Sequence, residues 1–427
     1  MLKRFSKYLF QSMVGMVGIS VYILADTFFI SVYSGADGLA VLNIILPVFG
    51  FIYAIGSMIG IGSATRYGIC RAAGENAEHY FAHSIMWSLV CSILFVCIGL
   101  FAPGRFLGLL GADEELTRLG IGYIRIILLA APLFMTYYTF TAFARNDNAA
   151  VIAMIGSIAG SMFNIIFDYV FMFVMNLGFT GAAMATAFCP AVTMLLCCIH
   201  YMSPKSKVRF RPCRLSLRML ISCIQLGVSA FVGEISSAVT TIVFNMLILG
   251  IAGNTGIAAY GIIANISIVA MSILNGLAQG AQPMISESYG KSDSAAVVRL
   301  LRFSLYVCIA IEILIVAPAW CMTDTLISIF NSAGDAELMR YAHTGMRLYF
   351  LGFIPGGINI LLIAYFSAVD NARPAIVGSL LRGAIAIAAC AVVMSALMGM
   401  NGIWLSFMAA ELVTFAVIIL MSRAPKK

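Results

Sequence analysis

The feature that most limits what this chain can become is a succession of long apolar runs broken by short polar patches. The runs fall near residues 9–33, 38–64, 81–103, 118–143, 149–175 and 179–201, then 219–250, 256–284, 297–322, 340–367, 374–397 and 401–422. Each is close to the roughly 20 residues a helix needs to cross a bilayer. A membrane barrel would instead show strands of about ten alternating residues, and that alternation is absent. Charged residues make up only 10% of the 427, against roughly 25% in a soluble domain, so the chain lacks the means to cover a water-facing surface. The expected fold is an all-α membrane protein with about 12 transmembrane helices.

The eleven cysteines are scattered, mostly inside apolar runs, and none has CxxC spacing. They read as small buried thiols and not as disulfides or metal ligands. His79, His83, His200 and His343 lack a metal-binding partner set. Lys3, Arg4 and Lys7 precede the first run with no small-residue cleavage site after it, so that run reads as a retained helix.

Lys and Arg orient the runs. One side collects Lys3, Arg4, Lys7, Arg66, Arg71 and Arg145, then Lys205, Lys207, Arg209, Arg211, Arg214 and Arg218. It also takes Lys291, Arg299, Arg302, Arg373, Arg382, Arg423, Lys426 and Lys427, making 20 of the 25. Arg105, Arg118, Arg125, Arg340 and Arg347 fall at or near the other side, with Arg125 and Arg347, two turns inside the helix ends, reading as snorkelling side chains. This asymmetry predicts cytoplasmic chain ends in a cytoplasmic (inner) membrane and an even number of spans. The net charge of +7 then reports topology and implies no nucleic-acid partner.

An internal repeat organises the runs. Asp113, Glu115, Leu116, Arg118 and Arg125 recur 222 positions later as Asp335, Glu337, Leu338, Arg340 and Arg347, and Pro132 and Pro355 keep step within one residue. "FARNDNAA" from Phe143 returns as "FSAVDNAR" from Phe366. Each half holds six runs, so the repeats are parallel, as in transporters that rock two bundles about a central site. The expected organisation is an N-lobe over 1–201, a basic linker over 202–218 and a C-lobe over 219–427. One chain then carries both lobes and suffices as a monomer.

Ionisable groups at bilayer depth cost roughly 2.5–3.5 kcal/mol each on insertion scales, so each needs a reason. Asp26, Asp168, Glu234, Glu312 and Glu411 qualify. Asn164 and Asp168 are four apart and share a helix face. At about 1.5 Å per residue, Asp26, Asp168 and Thr186 all fall in the outer half of the bilayer core. Two carboxylates, an amide oxygen and a hydroxyl suit a shared proton or a small hard cation; the plainer alternative is that Asp168 hydrogen-bonds a neighbouring helix. The position matching Asp168 in the second half is near Ala391, so the acid belongs to one half only. Glu234 lies mid-span and suits a substrate cation or a second proton, whereas Glu312 and Glu411 read as packing residues.

Several segments resemble the multidrug and toxic compound extrusion (MATE) family along essentially the whole chain. They are "YILADTFFIS" with "SGADGLAVLNIILPV", "GIGSATRYGICRAAGE" at 60–75, "NGLAQGAQPMISESYGKSD" at 275–293 and "FVGEISSAVTTIVFN" at 231–245. The resemblance implies a coupling-ion site at Asp26, Asn164, Asp168 and Thr186, taking Na⁺ or H⁺ and no cofactor, with Glu234 handling substrate or proton. It further implies antiport, the inward ion driving export of an organic, often cationic, compound. Prolines that such proteins often carry early in helices one and seven are missing; Gly15 and Gly18 are the softer hinge candidates. The rival within the same superfamily is a flippase for lipid or lipid-linked oligosaccharide, which needs cationic side chains inside the spans. A membrane enzyme is disfavoured, because no HExxH or GxSxG motif occurs.

Overall fold

The computed structural model describes residues 2–328 and 335–423; Lys426 and Lys427, counted above with the basic side, lie outside them. Helix is the only regular structure among the described residues, as hydrocarbon demands of a backbone that must satisfy its own polar groups. Ten helices are long and apolar enough to cross a membrane. In the first half they are α1 (Leu2–Ser34), α2 (Val41–Ala72), α3 (Tyr80–Phe101), α5 (Ala150–Val174) and α6 (Gly178–Met202). In the second half they are α7 (Leu217–Gly253), α8 (Thr255–Gly290), α9 (Ser294–Cys321), α11 (Ala372–Met398) and α12 (Met400–Ser422). Two bent pairs complete twelve spans: α4 (Glu114–Leu129 with Ala131–Asn146) and α10 (Ala336–Phe350 with Phe353–Ala368).

The bends carry the sequence repeat into three dimensions. They measure 44° and 42° at equivalent places, each just before a proline (Pro132, Pro355) that cannot donate to the preceding turn. Asp113 and Asp335, the first residues of the repeat, cap the two bent spans. Asp113 accepts from the Leu116 amide, and Asp335 from those of Glu337 and Leu338. Between α7 and α8 the chain turns at Gly253, and between α11 and α12 at Gly399, both at positive φ where a side chain would strain.

The face bearing the two chain ends, the terminal face, is where the halves meet. Gly62 of α2 sits against Cys223 and Gly227 of α7, and Gly276 and Gly280 of α8 sit against Leu9, Ser12 and Met13 of α1. Small residues let helix backbones approach this closely in a bilayer; a Cβ on Gly227 would lie 1.9 Å from the Met58 carbonyl oxygen. Phe5 and Phe303 pack with ring centroids 5.9 Å apart. Arg66 pairs with Asp370 across the seam at 2.8 Å and also donates to the Ser222 carbonyl. Among the described residues, no hydrogen bond, ion pair or ring contact joins the halves farther from this face than Phe51–Phe231 and Tyr138–Glu234. The cleft is thus shut at the terminal face and opens toward the opposite one.

Residues 203–216, between α6 and α7, cross the terminal face strapped to the first half. Asp147, buried, accepts from Ser206 Oγ, from the Lys207 amide and from Arg71, with His200 Nε2 at 3.0 Å. Arg211 pairs with Glu78 farther along.

One cation departs from its expected place. Arg382 belongs to neither basic face: it lies ten residues into α11, where it pairs with Glu411 of α12 at 2.8 Å. Asn359 of α10 donates to the same carboxylate at 2.7 Å. The spans therefore do hold a buried arginine, because a partner carboxylate and amide sit within reach to neutralise it. Gly15 and Gly18 also take a different role in this conformation. Both face α5 at Met154, Ser157 and Ile158 within an unbroken helix, with room for a methyl group at ordinary contact distance.

The glycine seam gives a direct test. Gly227→Ala should cost about 1–3 kcal/mol by overpacking and lower the melting midpoint of the purified protein. Gly233→Ala, on the same helix with no neighbour within 4 Å, should leave it unchanged or slightly raised. Equal melting of both variants would mean that the seam tolerates a methyl group and is not tightly closed.

Candidate functional site

Four of the five predicted residues converge. Asp26 of α1 is eight residues short of its outer end, Asp168 of α5 six, and Thr186 of α6 eight beyond its outer start. At about 1.5 Å per residue all lie about 9–12 Å below the face opposite the chain ends. All are interior: Asp26 is 8% exposed, Asn164 0%, Asp168 0% and Thr186 4%. The Asn164 amide donates to Thr186 Oγ1 at 3.3 Å, tying α5 to α6. The Asp26 and Asp168 carboxyls are neighbours across the α1–α5 contact and act on each other electrostatically.

What this pocket lacks is donors bonded to its carboxylates. Asp26 Oδ1, Asn164 Oδ1 and both oxygens of Asp168 are buried without a hydrogen-bond partner in the protein. Buried acceptors are normally satisfied, and two adjacent carboxylates cannot both remain charged and bare in hydrocarbon. A set of carboxylates, amide oxygen and hydroxyl fits a hard cation or a proton. Past Asp168, the turns of α5 widen to π-type spacing over Val170–Val174. Such bulges break the regular ladder and recur at functional sites.

Two residues join the site that sequence reasoning missed. Tyr123 of α4, 3% exposed, brings its hydroxyl to Thr186 beside both aspartates. Cys189 of α6 lies close to the same pair. Tyr123 carries no signal in the linear sequence, since it arrives on a different helix; Cys189 lies three residues beyond Thr186 on the same face of α6, a spacing the sequence does show.

The fifth predicted residue, Glu234, stands apart from the aspartates at the floor of the cleft. It accepts from the Tyr138 hydroxyl of α4 at 2.6 Å, a bond that crosses between the halves. Tyr53 of α2 meets Tyr138 edge-on at 5.7 Å and faces the hydroxyl of Tyr22. Tyr22 is one helical turn from Asp26, a spacing visible in the sequence. A file of tyrosines thus lines the path from Glu234 to the aspartate pair. Glu312 and Glu411 take no part. Glu312 bonds Cys308 and packs over Gly357 of α10, and Glu411 holds Arg382.

Comparison with known proteins places this architecture. The family model described as MatE matches residues 12–170 and 229–392, the greater part of both halves. The multidrug export protein MepA of Staphylococcus saprophyticus is 26% identical over 406 residues, covering 93% of this chain and 88% of that protein. Among solved structures, a MATE protein in complex with MaL6 superposes with a TM-score of 0.92 at 20% identity, over 99% of this chain and 95% of that one. The outward-facing conformation of a multidrug resistance MATE transporter superposes at 0.91 with the same identity and coverage. The last two establish the fold. With a family model spanning both halves and the same twelve-span fold in solved MATE proteins, this chain belongs to the MatE family of membrane transporters.

Proposed function

We propose that this chain is a cation-coupled antiporter that exports organic, often cationic, compounds by alternating access between an N-lobe (1–201) and a C-lobe (219–427). The observation that carries the reading is the pocket at Asp26, Asn164, Asp168 and Thr186, whose unpartnered buried carboxylate and amide oxygens call for a proton or Na⁺. The export direction and cargo class follow the printed function of the staphylococcal relative. The basic terminal face is the cytoplasmic one, so the cleft opens outward and the ion enters from outside.

The ion neutralises the aspartate pair and draws α1 toward α5. The other end of α1, at Leu9, Ser12 and Met13, is packed into α8 of the second half. A shift of this helix therefore reaches the seam that shuts the cytoplasmic side. Ion binding changes the balance of the two states by the difference in its affinity for them. Glu234, held by Tyr138 at the cleft floor, supplies negative charge for a cationic cargo or for a second proton. The flippase alternative needs free cations in the cleft. Arg382 is committed to Glu411, and Arg145 lies below the cleft at the closed face.

Ethidium efflux from pump-deficient cells tests both acids. Asp168→Asn should be inserted normally but fall to the level of cells without the transporter. The sodium and protonophore arms of the same assay name the coupling ion. Export by Asp168→Asn at the native rate would sink the ion-site assignment. Glu234→Gln should raise the half-saturating ethidium concentration roughly tenfold, the cost of one charge-assisted contact, while efflux still collapses on removal of the ion gradient. An unchanged ethidium dependence would take Glu234 out of cargo binding.

A further inference from the structure

A second polar chamber lies under the cleft, in the seam between the halves, and its chemistry is the reverse of the aspartate pocket. It offers about 10 Å³ of free volume between α2, α4 and α8, and Thr65, Arg145, Asn146, Gln279 and Gln282 line it. Arg145 is 6% exposed. Its guanidinium stays charged in any protein environment and presents five donors. Among the described residues it makes no hydrogen bond and no ion pair. Its strongest electrostatic neighbours, Tyr137, Cys197, Tyr138 and Tyr201, are neutral. Asp147, two residues on, is occupied by Arg71, His200, Ser206 and the Lys207 amide.

The carboxamides of Gln279 and Gln282, on one face of α8, likewise make no hydrogen bond within the described protein. A buried guanidinium and two amide groups converging on one small chamber form a donor-rich site with no protein counter-charge. Burying an unpaired charge is far costlier than burying a paired one, and a chamber of this volume holds one small occupant.

We propose that this chamber binds a single small monovalent anion, chloride in the cell, held by Arg145 of the first half and by Gln279 and Gln282 of the second. The anion bridges the halves at the closed terminal face and favours the state in which the cleft opens to the opposite side. One guanidinium with neutral amides balances a single negative charge, so a monovalent anion is matched better there than phosphate. The repeat supports a role confined to one copy, because the residue matching Arg145 in the second half is Ala368. The inference is independent of the cargo and of the ion that drives export.

The test uses the purified full chain, with chloride titrated against isethionate at constant ionic strength. A ligand that binds only the folded state raises the melting midpoint in a saturable way. The native protein should show that rise with chloride, bromide or nitrate and not with phosphate, together with broadening of the chloride-35 NMR line. Gln279→Ala combined with Gln282→Ala keeps the charge but removes two ligands, and should raise the half-saturating chloride concentration at least about tenfold. Arg145→Met should lose the response altogether. Identical melting of the native protein in chloride and isethionate, with no excess broadening, would overturn the proposal and leave water as the occupant. A response as strong with phosphate, or one unchanged in the double glutamine variant, would overturn it too, by placing the anion elsewhere.

Discussion

A charge inside hydrocarbon has to be neutralised within a few ångströms, and most of this protein's interior is arranged around that need. Where carboxylate and cation can be brought together, they are. Glu411 takes Arg382 and Asn359 in the second half, and Asp370 takes Arg66 across the seam. Where they are not, the leftover chemistry is the informative part. The aspartate pair has acceptors without donors, and the Arg145 chamber has donors without a counter-charge. The first lies near one face of the membrane and the second near the other.

Helix α1 spans the distance between these regions and belongs to both halves. Its outer part brings Asp26 to α5 and packs Phe29 and Tyr33 on Phe173. Its inner part buries Phe5, Tyr8 and Leu9 in the core of the second half. Glycines on α8 make the second contact close enough to transmit small displacements, since tightly packed seams rearrange between discrete states and do not deform smoothly. The absence of an early proline in α1 fits this picture, because an unbroken helix can carry a shift along its length.

The two halves share a scaffold and differ in chemistry. The capping aspartates and the proline-marked bends recur almost residue for residue. The charged interior does not. Asp168 is matched near Ala391, Arg145 by Ala368, and the paired aspartates Asp147 and Asp370 bind unrelated partners. Backbone geometry has to be repeated for the halves to pack as equivalents, whereas a binding site needs to be built only once.

The bends of α4 and α10 were not read from the sequence, but hydrophobic periodicity and the repeat were sufficient for the helix count and for the positions of Asp26, Asp168 and Thr186 along their helices. Each of these depends on separations along one helix, where rise and turn are fixed. Even the kinship of Asn164 with Asp168, and of Tyr22 with Asp26, is a four-residue spacing. The pairing of Asp26 with Asp168, the arrival of Tyr123, and the bond from Tyr138 to Glu234 join different helices. So does the removal of Arg382 from the basic face by Glu411, twenty-nine residues away. Those depend on how helices rotate and cross, which packing of small residues sets and no local pattern encodes. The sequence by itself determined which groups had to be buried; only the tertiary structure decided which of them would find partners.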